Sequence, residues 1–455
     1  MSDGFSTSEA KSPSHNVERD MLATFGPPGL AHKFLVIGLA MVVAWALVAY
    51  LHQLRIGLSA TAMSDYFSWG VYIVNFVFFI GISMAGSLIS AMLRLSNAHW
   101  RHPISRLAEA ITVFSLLVAG PMVIIDMGRP DRFLHVLRYG RLQSPILWDV
   151  LSLTSYLAGS FLYLYVPMIP DLAILRDAPG LSRWRKKLYR TLAMRWTGTA
   201  DQHRQLDRAV SVMAIVILPV AVSIHTVTAW LFGMTLRPGW HSTIIGPDFV
   251  IGALYSGVAA VITAIVLFRY FLRLQSLIPV DHLRKLARLM LVFGLAYAYF
   301  VINEHVGAAY TGEGAERPLL EKMITGHYAI QFWAMIFIGL VLPVLMLVTP
   351  MGRTIAGIAV AAIFVNVGMW LKRYIIVVPT LASPFMPARE GAHLVYVPTW
   401  VEWSITAGGF AAFLLMFILF SKVFPIVSIW EVDQTQWPRP VETLADPGAA
   451  AGVLA

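Results

Sequence analysis

Ten apolar stretches, each close to the length of a membrane-spanning helix, follow one another through this chain. A helix rises about 1.5 Å per residue, so about 20 mostly apolar residues are needed to cross the hydrocarbon core. The stretches run at 33–53, 68–93, 105–127, 147–168, 209–233, 248–272, 286–306, 326–348, 354–377 and 400–424. A bilayer holds no water to hydrogen-bond the backbone, and segments of this length satisfy their own N–H and C=O groups as helices. Charged side chains are 13% of the 455 residues, well under the level of about 25% in soluble domains. The pattern predicts an all-α polytopic membrane protein of about ten transmembrane helices.

The spans group further. Asp65-Tyr-Phe-Ser-Trp-Gly precedes the second span much as Asp248-Phe-Val-Ile-Gly precedes the sixth, and Ser105-Arg-Leu-Ala opens the third as Ala287-Arg-Leu-Met opens the seventh. Both pairs read in the same direction, which predicts two related four-helix bundles with flanking helices. The expected organisation is a polar tail at 1–32, a first flanking helix and loop at 33–67, a first bundle at 68–233 and a second at 234–378. A last loop and tenth helix at 379–430 and a Pro/Ala-rich tail at 431–455 complete it.

The net charge of +9 comes from basic residues in the loops, which reflects membrane orientation rather than nucleic-acid binding. Alternating the spans puts roughly two thirds of the 34 lysines and arginines on the side of the N-terminus, so both termini are expected in the cytoplasm. Arg129, Arg132, Arg138 and Arg141 fall on the opposite side, against that rule. An anionic ligand or a docked protein would explain them. Cysteine is absent, so the chain cannot supply thiolates to an iron–sulphur cluster or attach haem covalently.

Ionisable groups at membrane depth cost roughly 2.5–3.5 kcal/mol each on insertion scales, so those that persist mark candidate sites. The densest group is Asp126-Met-Gly-Arg-Pro-Asp-Arg-Phe133, with Ser144-Pro-Ile-Leu-Trp-Asp149 shortly after it. Gly128 and Pro130 break the third span there. Asp126 is either a cap ion-paired with Arg129 or a carboxylate beside a buried cavity, able to accept a proton from a hydroxylated ring. Asp149 suits the positive end of the helix that Pro145 starts, and with Trp148 it offers a hydrogen-bond acceptor and an aromatic wall to a flat ring.

His225, well inside the fifth span, reads as a structural histidine or a proton carrier; His305 and His327, near span ends, do not match its depth for haem. Glu109 and Glu304 must each be ion-paired or protonated, as a relay or as a structural pair, for which Arg106 is the candidate beside Glu109. His241, in Gly239-Trp-His-Ser-Thr243, faces either the same site or solvent. No nucleotide-binding glycine loop or metal-ligand spacing stands out. Gly81 and Gly86 read as close helix packing.

Four motifs together resemble the NrfD/PsrC family of quinone-reactive membrane subunits: Trp69-Gly70, Asp126-x-Gly-Arg-Pro-x-Arg-Phe133, Ser144-Pro145 with Trp148-Asp149, and Tyr396-x-Pro-Thr-Trp-Val-Glu402. Ser105-Arg-Leu-Ala-Glu-Ala110, Ile169-Pro-Asp-Leu-Ala173 and Pro238-Gly-Trp-His-Ser-Thr243 are similar to the ActC subunits of alternative complex III. That pattern commonly has His where this chain has Asp126; the Asp form is similar to the polysulphide-reductase branch. The resemblance implies a quinone site near the outer face of the first bundle and no bound haem. It also implies electron exchange with a ferredoxin-like iron–sulphur subunit, as part of a complex with molybdopterin or multihaem cytochrome subunits and a second NrfD-like subunit.

The expectation is therefore a multi-pass subunit of a bacterial inner membrane, not catalytic alone, that exchanges electrons with a menaquinone-type quinone as substrate. Asp126, Arg129, Trp148, Asp149, His225 and His241 are the quinone-site candidates, Glu304 and Glu109 the relay candidates, and Arg132, Arg138 and Arg141 the docking residues. The rivals are a secondary transporter and a passive membrane anchor. Transporters typically set their site at mid-membrane on broken helices, whereas this polar cluster lies at one face.

Overall fold

The computed structural model describes residues 29–96, 98–271, 275, 278–312, 314, 316–386 and 394–431, and among these only helices, turns and bends occur. The tails expected at 1–32 and 431–455 lie outside the described residues, apart from 29–32 and Glu431. Ten helices are long and apolar enough to span a bilayer: α1 (Leu30–Ile56), α2 (Val71–Leu95), α3 (His102–Asp126), α4 (Pro145–Asp177), α5 (Ala200–Gly233), α6 (Ile245–Phe271), α7 (Val280–Thr311), α8 (Ala329–Val348), α9 (Ile355–Leu381) and α10 (Trp400–Val423). They alternate in direction, so Asp126, Pro145, Gly233, Ile245, Leu381 and Trp400 share one side, called here the far side.

α2 packs on α3 and α5, and α4 closes this bundle against both. α6 packs on α7 and α9, and α8 closes the second bundle against those two helices. The bundles join through α2 and α6, while α1 lies along α10 as a flanking pair. α2 is apolar all round and correspondingly buried on nearly every face, whereas α1 is largely exposed.

Two glycines show how closely α2 is held. A Cβ on Gly86 would lie 2.1 Å from the Ala108 carbonyl oxygen, so only glycine lets α2 and α3 approach this far. Gly81 has ordinary van der Waals space, its nearest neighbour being Ser256 at 3.5 Å. Of the two packing glycines expected in this span, Gly86 alone is sterically required.

α8 carries a π-helical turn at Phe337–Val341, directly before Leu342 and Pro343. Proline has no N–H, so Pro343 cannot bond the carbonyl four residues back. That carbonyl belongs to Gly339, and Tyr255 on α6 donates its hydroxyl to it at 3.1 Å.

Three boundaries differ from the sequence reading. The expected loop 169–208 is helical at both ends and in its middle: α4 runs on through a 3-10 turn to Asp177, a helix covers Arg183–Leu192, and α5 starts at Ala200. Burial explains the first, because Asp171 is fully enclosed and ion-paired with Arg106. α9 continues past the expected 377 to Leu381, with Pro379 inside its last turn. Arg373 and Tyr374 are consequently buried within the helix rather than ending it.

On the N-terminal side, residues 425–431 fold back onto the first bundle. Arg106 donates to the carbonyls of Pro425, Val427 and Pro167, and Trp430 donates its backbone N–H to Asp171 at 3.0 Å. Glu431 meets Arg94, Arg101 and His102 at 3.2–3.4 Å. Arg106 is thus engaged with Asp171, not with Glu109 as the sequence had offered.

Candidate functional site

The far-side end of α2 gathers three of the sequence motifs. Gly70 precedes α2, and a Cβ there would lie 2.3 Å from the Tyr396 hydroxyl and 3.1 Å from Glu402 Oε1. Tyr396 donates its hydroxyl to Glu402 and accepts the Val71 backbone N–H at 2.8 Å. Glu402 also accepts from the backbone N–H groups of Ala62 and Thr399, at 2.9 and 2.8 Å, and caps α10. This fully engaged carboxylate clamps the start of α10 to the loop before α2.

Asp126, the last residue of α3, faces the same place. It is 8% exposed and its neighbours include the Gly70 amide, Tyr72 and Glu402. Its Oδ1 has no hydrogen-bond partner among the described residues. Gln53 of α1 spans the group: it donates to the Ile125 carbonyl at 3.0 Å and accepts from the Tyr72 hydroxyl at 2.7 Å. An aromatic wall adjoins, with Trp69 stacked on Trp240 at 5.5 Å and edge-on to Phe232 at 5.4 Å. A buried carboxyl oxygen without a partner, next to flat aromatic faces, can accept from a ring hydroxyl or, once protonated, donate to a ring carbonyl.

Asp149 opens a second arm. It is 6% exposed and accepts from Thr228 of α5 at 2.6 Å. One turn deeper on α5, His225 Nδ1 lies 2.7 Å from the Ala221 carbonyl and Nε2 lies 3.0 Å from the Ile80 carbonyl. Each nitrogen lies against a carbonyl oxygen, and a neutral imidazole can donate to only one of the two. Ser83 shares the Ile80 carbonyl at 2.6 Å, and Thr112 bonds the Ser83 carbonyl at 2.7 Å. Ser87 reaches Thr112 at 3.2 Å, and Ser90 donates to Glu109 at 2.6 Å. Polar groups therefore line the first bundle from Asp149 on the far side to Glu109 near the N-terminal side.

Glu304 belongs elsewhere. It pairs with Lys372 of α9, with His305 3.9 Å away, in the second bundle. Asp248, Arg373 and Tyr297 are its buried electrostatic neighbours, and a small cleft lined by Ser242, Asp248 and Glu304 opens there. Glu109 and Glu304, the two relay candidates of the sequence, lie in different bundles and towards opposite faces.

A profile of the NrfD polysulphide-reductase family matches residues 59–384. The chain belongs to the NrfD family. It is 29% identical over 73% of its length to a putative membrane component of dimethyl sulfoxide reductase from Halobacterium salinarum, of which 72% is covered. A selenate reductase component of Mesobacillus selenatarsenatis is 27% identical over 84% of this chain and 92% of its own. The integral membrane subunit of menaquinone reductase from Nitratidesulfovibrio vulgaris is 24% identical over 82% and 86%. This NrfD chain is accordingly a multi-pass integral membrane protein.

The family match takes in Gly70, Asp126, Asp149 and His225 but stops before Tyr396 and Glu402, which reach the site through α10. Other expected members stand apart from it. Arg129 is exposed and pairs with Asp131 at 2.9 Å rather than with Asp126, and this pairing lowers the Asp131 carboxyl below its usual range. Trp148 is half-buried and donates to the Leu142 carbonyl instead of facing Asp126. His241 lies 3.3 Å from Glu316, beyond the aromatic wall. Arg132, Arg138 and Arg141 are all exposed, beside exposed Leu134, Leu137, Tyr139 and Leu142. Gln53 and Tyr72, central to the site, were missed by sequence reasoning. Gln53 was legible as a lone amide closing the first span; Tyr72 reads as one more aromatic in an apolar run.

Proposed function

We propose that this chain is the quinone-reactive membrane subunit of a multi-subunit respiratory oxidoreductase, exchanging electrons between a menaquinone/menaquinol pool and an iron–sulphur partner docked on the far side. The observation that carries this reading is the unpartnered Oδ1 of buried Asp126, set among Gly70, Tyr72 and Glu402 beside the Trp69–Trp240 wall. The names of two relatives fit it: an Hdr-like menaquinol oxidoreductase integral membrane subunit of Archaeoglobus fulgidus and the menaquinone reductase subunit already described.

Oxidising a quinol releases two electrons and two protons. Asp126 accepts one ring hydroxyl proton and Asp149 the other, while the electrons leave to the partner's clusters. The exposed strip Arg132–Leu142, with arginines among apolar side chains, suits the docking of that partner, which carries the electron wires this cysteine-free chain lacks. His225 and the hydroxyl-lined path to Glu109 provide a proton route toward the N-terminal side. The finer likeness to ActC rests on the motifs Ser105–Ala110, Ile169–Ala173 and Pro238–Thr243, and an inner membrane with cytoplasmic termini rests on the loop charges.

The test is Asp126→Asn and Asp149→Asn, each in the purified intact assembly with a menaquinol analogue as donor. Losing a positioned proton acceptor lowers turnover about 10²–10⁴-fold, with assembly unchanged. Wild-type turnover in both variants would leave a passive anchor, and solute uptake by the chain alone in liposomes would favour a transporter.

A further inference from the structure

On the N-terminal side, α7 and the end of α8 diverge to leave a cleft of about 580 Å³, inside the range of roughly 300–1,000 Å³ typical of small-molecule sites. Arg284, Ala287, Arg288 and Leu291 line it from α7, spaced three and four residues apart on one helix face. Leu347, Val348 and Arg353 close it from the other side. The lining is graded along the membrane normal. Arg284 and Arg288 lie in the first turns of α7 and Arg353 lies just past α8, while Leu291 sits about 10 Å deeper than Arg284.

Among the described residues none of the three arginines makes an ion pair; Asp281 pairs with Lys285 at 2.9 Å and shares its charge with Arg288, which leaves three cations facing one carboxylate already engaged. Arg284 donates to the Arg353 backbone carbonyl at 3.1 Å, which holds two cationic residues together against their repulsion. A Cβ on Gly352 would lie 2.3 Å from the Leu347 carbonyl, so the tight turn that presents Arg353 requires glycine.

We propose that this cleft is a binding site for an anionic phospholipid, its phosphate held by Arg288 and Arg353 and its acyl chains laid along Leu291 and Leu347. Basic pockets between membrane helices select acidic headgroups in this way. A zwitterionic headgroup brings its own cation and loses the advantage.

Lipid titration of the purified complex in detergent, followed by native mass spectrometry, tests the site. Dioleoyl phosphatidylglycerol is expected to bind at least tenfold more tightly than dioleoyl phosphatidylcholine. Each arginine at a lipid surface contributes about fivefold, so Arg288→Gln with Arg353→Gln loses about twenty-five-fold. The milder Arg288→Gln alone, at an exposed position, loses about fivefold. Arg183→Gln with Arg190→Gln, which removes equal charge from the basic helix Arg183–Leu192 outside the cleft, leaves binding within about twofold. Equal loss in that control, or no preference between the two lipids, overturns the proposal. Displacement of the lipid by millimolar inorganic phosphate also overturns it, and identifies a site for free phosphate instead.

Discussion

Thr228 on α5 donates its hydroxyl to Asp149 on α4 at 2.6 Å, with both residues buried. The bond is a strut between two helices, and it fixes one carboxylate oxygen while leaving the other to a ligand. A hydrogen bond to a charged group is worth about 1.5–3 kcal/mol. Thr228→Val keeps the side-chain volume but removes the donor, so menaquinol turnover is expected to fall about tenfold. Thr228→Ser restores most of it, because only the methyl is lost. Equal turnover in the valine and wild-type assemblies would remove Asp149 from the chemistry.

Gly70 and Gly81 lie three turns apart on either side of the start of α2, and they answer differently to one added methyl. At Gly70 a Cβ would meet the Tyr396 hydroxyl at 2.3 Å, where that hydroxyl already serves Glu402 and Val71. Gly70→Ala therefore forces α10 away from α2 and is expected to destabilise by about 1–3 kcal/mol, with loss of turnover. Gly81→Ala meets nothing closer than 3.5 Å, and its thermal midpoint should match wild type within about 2 °C. Thermal unfolding of the two variants side by side decides the matter. A silent Gly70→Ala would mean that the Tyr396–Glu402 clamp yields freely.

The Arg106–Asp171 pair sits beneath the first bundle, 3% and 0% exposed at the side chains. Removing one partner of a buried pair leaves an uncompensated charge and costs about 3–5 kcal/mol. Arg106 also ties down three carbonyls, so Arg106→Leu should reduce the yield of folded protein more than Asp171→Leu does. The double variant Arg106→Leu/Asp171→Leu recovers part of the loss, because no lone charge remains. Detergent-solubilised yield by fluorescence size-exclusion chromatography reads all three. Additive losses in the double variant would show that the two side chains act independently.

The helices were legible because a lipid-facing chain has few alternatives: apolar length alone located all ten spans. Their ends were not, because ends depend on burial of individual polar groups. Asp171 reads as a loop residue until Arg106 is found against it, and α9 reads as finished at 377, soon after two cations, until Glu304 and Asp248 are found beside Lys372 and Arg373. The site divides the same way. Asp126 and Asp149 stood out as charges where charges are costly. Glu402 was visible only as part of a motif, since its four donors come from residues 62, 396 and 399. Arg129 misled because its nearest carboxylate in sequence, Asp131, competes with Asp126 and needs no burial to win.

Glu431 provides a pH-dependent lock on the N-terminal side. Burial pushes its carboxyl up, but the hydrogen bond with His102 and the charges of Arg101 and Arg94 outweigh that and hold it at about 2, against 4.5 for the free group. The folded segment thus binds fewer protons than the detached one across this range. Stability from the contact is complete above about pH 4.5 and falls away as pH drops toward 2. Amide hydrogen exchange over 425–431 should accordingly rise within that window, before the spanning helices lose protection. Glu431→Gln abolishes the pH step by removing the titrating group, and it leaves the segment partly loosened at neutral pH because Arg101 loses its counter-charge and Arg94 keeps only Asp207. A step that persists unchanged in Glu431→Gln would assign the transition to another carboxylate and leave the clamp on residues 425–431 to Arg106 and Trp430.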